Sequence, residues 1–194
     1  MTTPSTSIRV LAISGSLRAG SYNTLLLRAA EEIAAARRLP IAFERARLHE
    51  IPPFDEDLRT ATGFPAPVET FREAIRRADA VLVATPEYNF SVPGVLKNAI
   101  DWASRPPEQP FATKPFALMG VSGGMSGTMR AQYHLRQIAV FLDMHPVNKP
   151  EIFVRNGRSA FDASGALSDE TTRKLLGDLL TNLVAWTRRL KAQV

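Results

Sequence analysis

No cysteine occurs among the 194 residues. This excludes disulfides, Cys-ligated zinc, iron–sulfur clusters and a thiol nucleophile, so any redox chemistry must use a bound cofactor. Histidine is scarce as well, and the spacing of His49, His134 and His145 matches no metal motif. Acids are in the minority: 19 Asp and Glu against 24 Lys and Arg leave a formal charge of +5 and a pI near 10.0. The basic residues are dispersed, without an aromatic-interleaved block, so no nucleic-acid partner is expected. A basic surface instead favours encounter with small anions. Long apolar runs are missing too. None approaches membrane-spanning length, and Met1–Ser7 lacks the basic start and apolar core of a signal peptide. The reading is a disordered polar tail over 1–7, a single domain over 8–194, no membrane association and a cytoplasmic setting.

Two nucleotide fingerprints are also lacking. In the stretch IRVLAISGSLRAGSYN, Ile8 to Asn23, Gly15 and Gly20 fit the glycines of GxxxxGK[ST], but Ser21-Tyr22 stands where Lys-Ser/Thr should be. Ser16-Leu17 after Gly15 breaks the GxGxxG pattern. What is present is an apolar strand, Val10 to Ile13, a tight turn, and a helix start. The first backbone N–H groups of a helix lack internal partners and carry the positive end of its dipole, which suits a phosphate. Ser16, Ser21 and Tyr22 add hydroxyls, Asn23 an amide and Arg18 a charge-assisted fork. This cradle suits a terminal phosphomonoester. Taken alone, it is also compatible with an ordinary βα turn capped by Ser21.

Strand and helix patterns alternate along the rest of the chain. Leu25, Leu26, Ala29, Ala30 and Ile33 mark a first helix, and Ile41 to Ala46 a weak second strand. Leu48 to Pro67 reads as a long ordered loop, and Val68, Phe71, Ile75 and Ala78 as a second helix. Ala80 to Ala84 is apolar throughout, as expected of a central parallel strand covered on both faces. A helix follows Pro93, with Trp102 in the core and with Asn98 and Asp101 making local bridges. Phe116 to Val121 is a further buried strand, and Thr128 to Leu142 a helix. Val147 to Val154, interrupted by Pro150, supplies a short last strand. Asn156 to Gly165 is a polar turn, and Ser168 caps a final helix buried along Leu175, Leu176, Leu179, Leu180, Leu183 and Val184. Five strands alternating with helices make a three-layer α/β sandwich. Periodicity leaves the strand order open between the flavodoxin-like and Rossmann arrangements.

The loop after the central strand reads TPEYNFSVPGVLKNAIDW, residues 85 to 102. With GSLRAGSYN and the Gly-rich turn at Ser122, it resembles the NADPH-dependent FMN reductase family, close to its quinone and chromate reductase branch. The likeness covers nearly the whole chain, without departures at the motif positions. It implies a flavodoxin-like fold, a five-stranded parallel sheet in the order 2-1-3-4-5, with FMN at the carboxyl ends of strands one, three and four. It also implies that Pro86, Glu87, Tyr88, Asn89 and Phe90 line the isoalloxazine, and that Ser122 and Gly123 form the third loop against it. NAD(P)H is the implied co-substrate, and quinones, free flavins or chromate the acceptors. A homodimer or homotetramer is implied, with Arg130, Tyr133 and Glu151 hydrogen-bonding between subunits. No side chain is assigned as an obligatory acid or base, because the cofactor carries the hard step. The competing reading is a flavodoxin-like electron carrier without its own nicotinamide turnover. Such carriers are typically acidic, whereas this chain is basic.

Overall fold

The computed structural model describes residues 7–192, so the expectation of a disordered tail lies, for 1–6, outside the described residues. Six strands form one parallel sheet: β1 (Ile8–Ser14), β2 (Ile41–Arg45), β3 (Ala80–Ala84), β4 (Pro115–Val121), β5 (His145–Pro146) and β6 (Ile152–Val154). The order is β2-β1-β3-β4-β5, with β6 also paired to β4. The helices are α1 (Tyr22–Ala36), α2 (Glu56–Thr62), α3 (Ala66–Arg77), α4 (Gly94–Ala103), α5 (Met129–Phe141), α6 (Gly157–Ala160) and α7 (Glu170–Lys191).

Alternation along the central strands divides the core into two layers. Val10, Ala12, Leu82, Ala84, Met119 and Val121 face α1 and α7. Leu11, Ile13, Val81, Val83, Phe116 and Leu118 face α3, α4 and α5. Because successive side chains of a strand point to opposite faces, a strand apolar at every position must be covered twice. That is the case for β3, whose five residues are all buried.

The structure alters several sequence expectations in detail. The last strand is in two pieces. β5 pairs with the start of β4 through Pro115–His145, and β6 pairs with its end through Met119–Ile152. Pro150 lies in the stretch between them, where a residue without an N–H cannot serve a ladder. The segment from Leu48 is not one continuous loop, because Asp55 caps α2 by accepting from the N–H groups of Asp57 and Leu58. The cap of α7 is Asp169 rather than Ser168: the Asp169 carboxylate accepts from Thr172 N–H at 2.6 Å, whereas the Ser168 hydroxyl donates to Ala160 C=O.

The segment that carries α2 is fastened to α4. Asn98 accepts from Phe54 N–H at 2.7 Å and donates to Pro52 C=O at 2.8 Å. Trp102 donates to the same carbonyl at 2.8 Å, and its ring meets Phe54 edge-on at 5.0 Å. Asn98 therefore bridges across 44 residues instead of locally. Asp101 does pair locally, with Lys97. Among the described residues, no helix is long and apolar enough to cross a membrane.

Candidate functional site

The carboxyl ends of β1, β3 and β4 lie side by side, and three loops leave from them. Gly15 N–H donates to Ala84 C=O at 2.8 Å, and Thr85 N–H to Met119 C=O at 3.0 Å. Glycine at 15 permits this closeness, since an added Cβ would sit 3.2 Å from Leu96, Pro86 and Thr85. Gly120 is under a stricter constraint. A Cβ there would collide with the Thr128 hydroxyl and the Thr85 carbonyl. A glycine inside an otherwise apolar strand is the signal that could have exposed this contact, because it often marks a close backbone approach.

The first loop folds around its own hydroxyls. Ser21 caps α1 by accepting from Asn23 N–H at 3.2 Å, and Ser16 accepts from Arg18 N–H at 3.3 Å. Among the described residues, the N–H groups of Gly20, Tyr22 and Thr24 have no acceptor within the protein. Arg18 has no acidic partner there either; its guanidinium lies 5.7 Å from the Tyr22 ring. Orphan amides at a helix start beside an unpaired arginine fit a phosphomonoester. Arg18 also borders a cavity of ≈ 190 Å³ with Arg45, Arg47 and His49, so this end of the sheet is basic.

Two residues of the expected cradle have other duties. The Asn23 amide is buried, donating to Val121 C=O at 3.0 Å and accepting from Val121 N–H at 2.9 Å. It ties α1 to β4 rather than pointing at a ligand. Tyr22 stacks on Phe161 at 5.6 Å, so its ring forms part of the wall behind the loop. With Ser21 serving as the α1 cap, Ser16, Arg18 and the unpartnered backbone amides are the groups that can face a phosphate.

In the second loop, Thr85 and Pro86 are buried and the chain then emerges into a tight turn. Tyr88 and Ser91 exchange backbone hydrogen bonds at 3.2 and 2.9 Å. Between them Asn89 and Phe90 both adopt the left-handed conformation, with φ of 50° and 63°. Asparagine tolerates this, whereas for a bulky residue such as Phe90 it costs on the order of 1–2 kcal/mol. The turn presents Tyr88 and Phe90 to the surface at 53% and 68% exposure. Exposed aromatics at the mouth of a sheet edge suit stacking against a planar ring.

Glu87 turns back into the protein. Its side chain is 6% exposed and lies 3.0 Å from Arg130 Nε. Its other oxygen accepts from Ala131 N–H at 3.1 Å. Thr128, at the start of α5, makes no side-chain cap, so Glu87 performs that task from a distant loop. The role of the Glu87 side chain, like that of Gly120, was not read from the sequence.

The third loop is shaped by Ser122. Its hydroxyl donates to Gly127 C=O at 2.6 Å, its N–H donates to Val154 C=O, and its C=O accepts from Gly157 N–H. Every polar group of Ser122 is thus engaged by the protein. Gly123 differs: an added Cβ would meet nothing within 4 Å, so the space beside this residue is open.

The residues expected to join subunits are partnered within the chain. Tyr133 donates to Glu151 at 2.7 Å, and Lys149 reaches the second carboxylate oxygen at 2.9 Å. The hydrogen bonds from Lys149 and Tyr133 hold the Glu151 carboxyl below its ordinary range. The same Glu151 bond pushes the Tyr133 phenol up. Arg130 pairs with Glu87. Each of the three thus has a partner within its own chain.

This arrangement can grip one phosphate at α1 and present backbone and aromatic edges to a planar ring some distance along the same sheet edge. The chain is 55% identical over 187 residues to an NAD(P)H-dependent FMN reductase of Pseudomonas aeruginosa, with 96% of this chain and 99% of the relative covered. It is 44% identical over 188 residues to a quinone reductase of Escherichia coli, covering 96% and 99%. Among solved structures, FerB, a flavoenzyme NAD(P)H:(acceptor) oxidoreductase from Paracoccus denitrificans, superposes with a TM-score of 0.84 at 33% identity, covering 94% and 98%. Residues 8–159 match the family model described as NADPH-dependent FMN reductase. The strand order, the phosphate-fitting loop and these matches agree: the chain belongs to the NADPH-dependent FMN reductase family and is an FMN-dependent NAD(P)H oxidoreductase.

Proposed function

We propose that quinones, and secondarily free flavins or chromate-like oxyanions, are its electron acceptors, and that nicotinamide and acceptor occupy one space in turn. The carrying observation is that, among the described residues, one phosphate-fitting loop and one exposed aromatic turn lie at the carboxyl ends of the neighbouring strands β1 and β3. The names of the P. aeruginosa and E. coli relatives support flavin and quinone as acceptors. FMN, when bound, supplies the hydride-accepting chemistry. The chain does the rest: Arg18, Ser16 and the α1 amides anchor the phosphate, Gly123 and the 86–90 backbone lie along the ring, and Tyr88 and Phe90 exclude water from one side. No side chain is required as an acid or base. Residues 8–194 act as one flavin-binding domain in the cytoplasm, without nucleic-acid or membrane partners.

Anaerobic addition of NADPH is expected to bleach the flavin absorbance before any acceptor is present. Initial rates with NADPH and a quinone should then give parallel double-reciprocal lines, the pattern of two substrates using one site in turn. Intersecting lines would mean that both substrates bind together, and the shared-space reading would fall. No bleaching at all would instead return the chain to the electron-carrier class.

The working unit is a homodimer or homotetramer. Met129, Tyr133 and Val140 recur on one face of α5, and Phe141 lies next to them; Val140 and Phe141 are 81% and 78% exposed. With Met125, Tyr88 and Phe90 nearby in the loops, this apolar surface is of the kind that marks an interface. Light scattering should show at least a dimer for the wild type and a lower mass for Val140→Glu/Phe141→Glu. A monomeric wild type with full turnover at nanomolar concentration would refute the assembly.

A further inference from the structure

The aromatic turn at 88–91 is held by α5. Three contacts cross the gap. The Arg130 guanidinium stacks over the Phe90 ring at 3.8 Å, the Ser91 hydroxyl meets His134 Nδ1 at 2.9 Å, and Glu87 engages both Arg130 and the Ala131 amide. Phe90 is the residue that pays least heed to its own backbone preference, since it sits left-handed at φ 63°. A strained conformation of this sort persists only where the surroundings over-determine it, and such sites cluster at ligand clamps. The strained ring is also the most exposed aromatic of the turn. Burial for its own sake therefore does not explain its position.

Glu87 is central to this arrangement. One carboxylate oxygen answers an orphan amide of α5, which any helix cap would do. The other lies 3.0 Å from Arg130 Nε as an ion pair, placing its charge beside the guanidinium that covers the Phe90 ring. Arginine suits that place, because its flat guanidinium can pair with a carboxylate and cover a ring.

We propose that Glu87 is a positioning residue for acceptor binding: through Arg130 it fixes Phe90 as a rigid aromatic wall that selects planar acceptors. The proposal rests on the flavin-site reading above. Bulky or spherical acceptors, which cannot stack on Phe90, gain nothing from the clamp.

Glu87→Gln separates the two duties of the residue. The amide oxygen can still accept from Ala131 N–H, while the charge that holds Arg130 is gone. The probe is 1,4-naphthoquinone titrated into oxidised, FMN-loaded protein without reductant, followed by the flavin absorbance. Affinity is expected to fall about tenfold in Glu87→Gln and in Arg130→Met, the scale of one lost cation–π contact. The double variant should lose no more than either single one, because both remove the same interaction. Arg130→Lys, which keeps the charge but not the plane, should fall between. In turnover, KM for the naphthoquinone should rise by a larger factor than kcat falls, and by a larger factor than KM for ferricyanide, which does not stack. Unchanged naphthoquinone affinity in Glu87→Gln, or additive losses in the double variant, would overturn the proposal and leave Glu87 as a helix cap alone. Should Glu87→Gln fail to fold, the Arg130→Met and Arg130→Lys pair decides by the same titration. A wild type that retains no FMN would sink the flavin-site reading itself, and is told apart by the absence of flavin colour.

Discussion

Arg72→Met is expected to destabilise the flavin-free protein by about 3–5 kcal/mol, the scale seen when a buried charged group is removed from partners that remain. Arg72 is 1% exposed on the side chain. Its guanidinium donates to the carbonyls of Ala103 at 2.5 Å, Arg105 at 2.9 Å and Glu108 at 3.3 Å. Its face lies 4.0 Å from the Phe64 ring, and Glu69 is 3.6 Å from Nε. Two effects oppose each other. Burial disfavours the charge and lowers the pKa of the guanidinium, and replacing a buried ionic group by an apolar one of similar volume is often neutral. Here the partners are carbonyls between the end of α4 and β4, a stretch without a ladder to absorb them, and methionine would leave them orphaned. The orphaned carbonyls should dominate. For a chain of this length the melting temperature should fall by about 10 °C, and Arg72→Lys should recover part of it. Urea unfolding of both variants checks this; a loss under about 1 kcal/mol would show that desolvation had cancelled the contacts.

Arg18→Ala is expected to weaken FMN binding by about 1–3 kcal/mol, which is about 5- to 150-fold in Kd. Riboflavin, lacking the phosphate, should bind wild type and variant nearly alike. The charge inventory motivates this. Arg45, at the border of the same cavity, is held by Glu31 at 2.7 Å, whereas Arg18 has no acid within reach among the described residues. A charged hydrogen bond to phosphate is worth roughly twice a neutral one, so loss of Arg18 should exceed that of Ser16→Ala. Fluorescence titrations decide it. Equal losses for riboflavin and FMN would place Arg18 against the ring or the loop scaffold instead of the phosphate.

How legible the site was differs from loop to loop. Ser16, Arg18 and Ser21 could be placed together because strand, turn and helix start are local; the N-cap of α1 is Ser21, as an ordinary βα turn also requires. Asn23 sits in the same motif, yet its amide serves Val121, 98 residues away. Residue type was informative there, and direction was not. Ser122 was likewise expected to approach a ligand, but its hydroxyl closes its loop on Gly127. Resemblance put Glu87 along the isoalloxazine, and only the packing of α5 shows where its carboxylate goes.

By itself the sequence determined what local rules can carry. Apolar strands alternating with amphipathic helices required a doubly covered parallel sheet, and the absence of cysteine required that redox chemistry come from a bound cofactor. The two loop motifs named the family. Tertiary structure decided which groups meet: the β2-β1-β3-β4-β5 order, the split of the last strand between two ends of β4, the Asn98 bridge to Pro52, and the pairing of Arg130 with Glu87. Periodicity and turn chemistry act over a few residues, and a chain reveals them as it is read. A hydrogen bond between residues 44 apart depends on the one packing in which both find their partners, and no local preference encodes it.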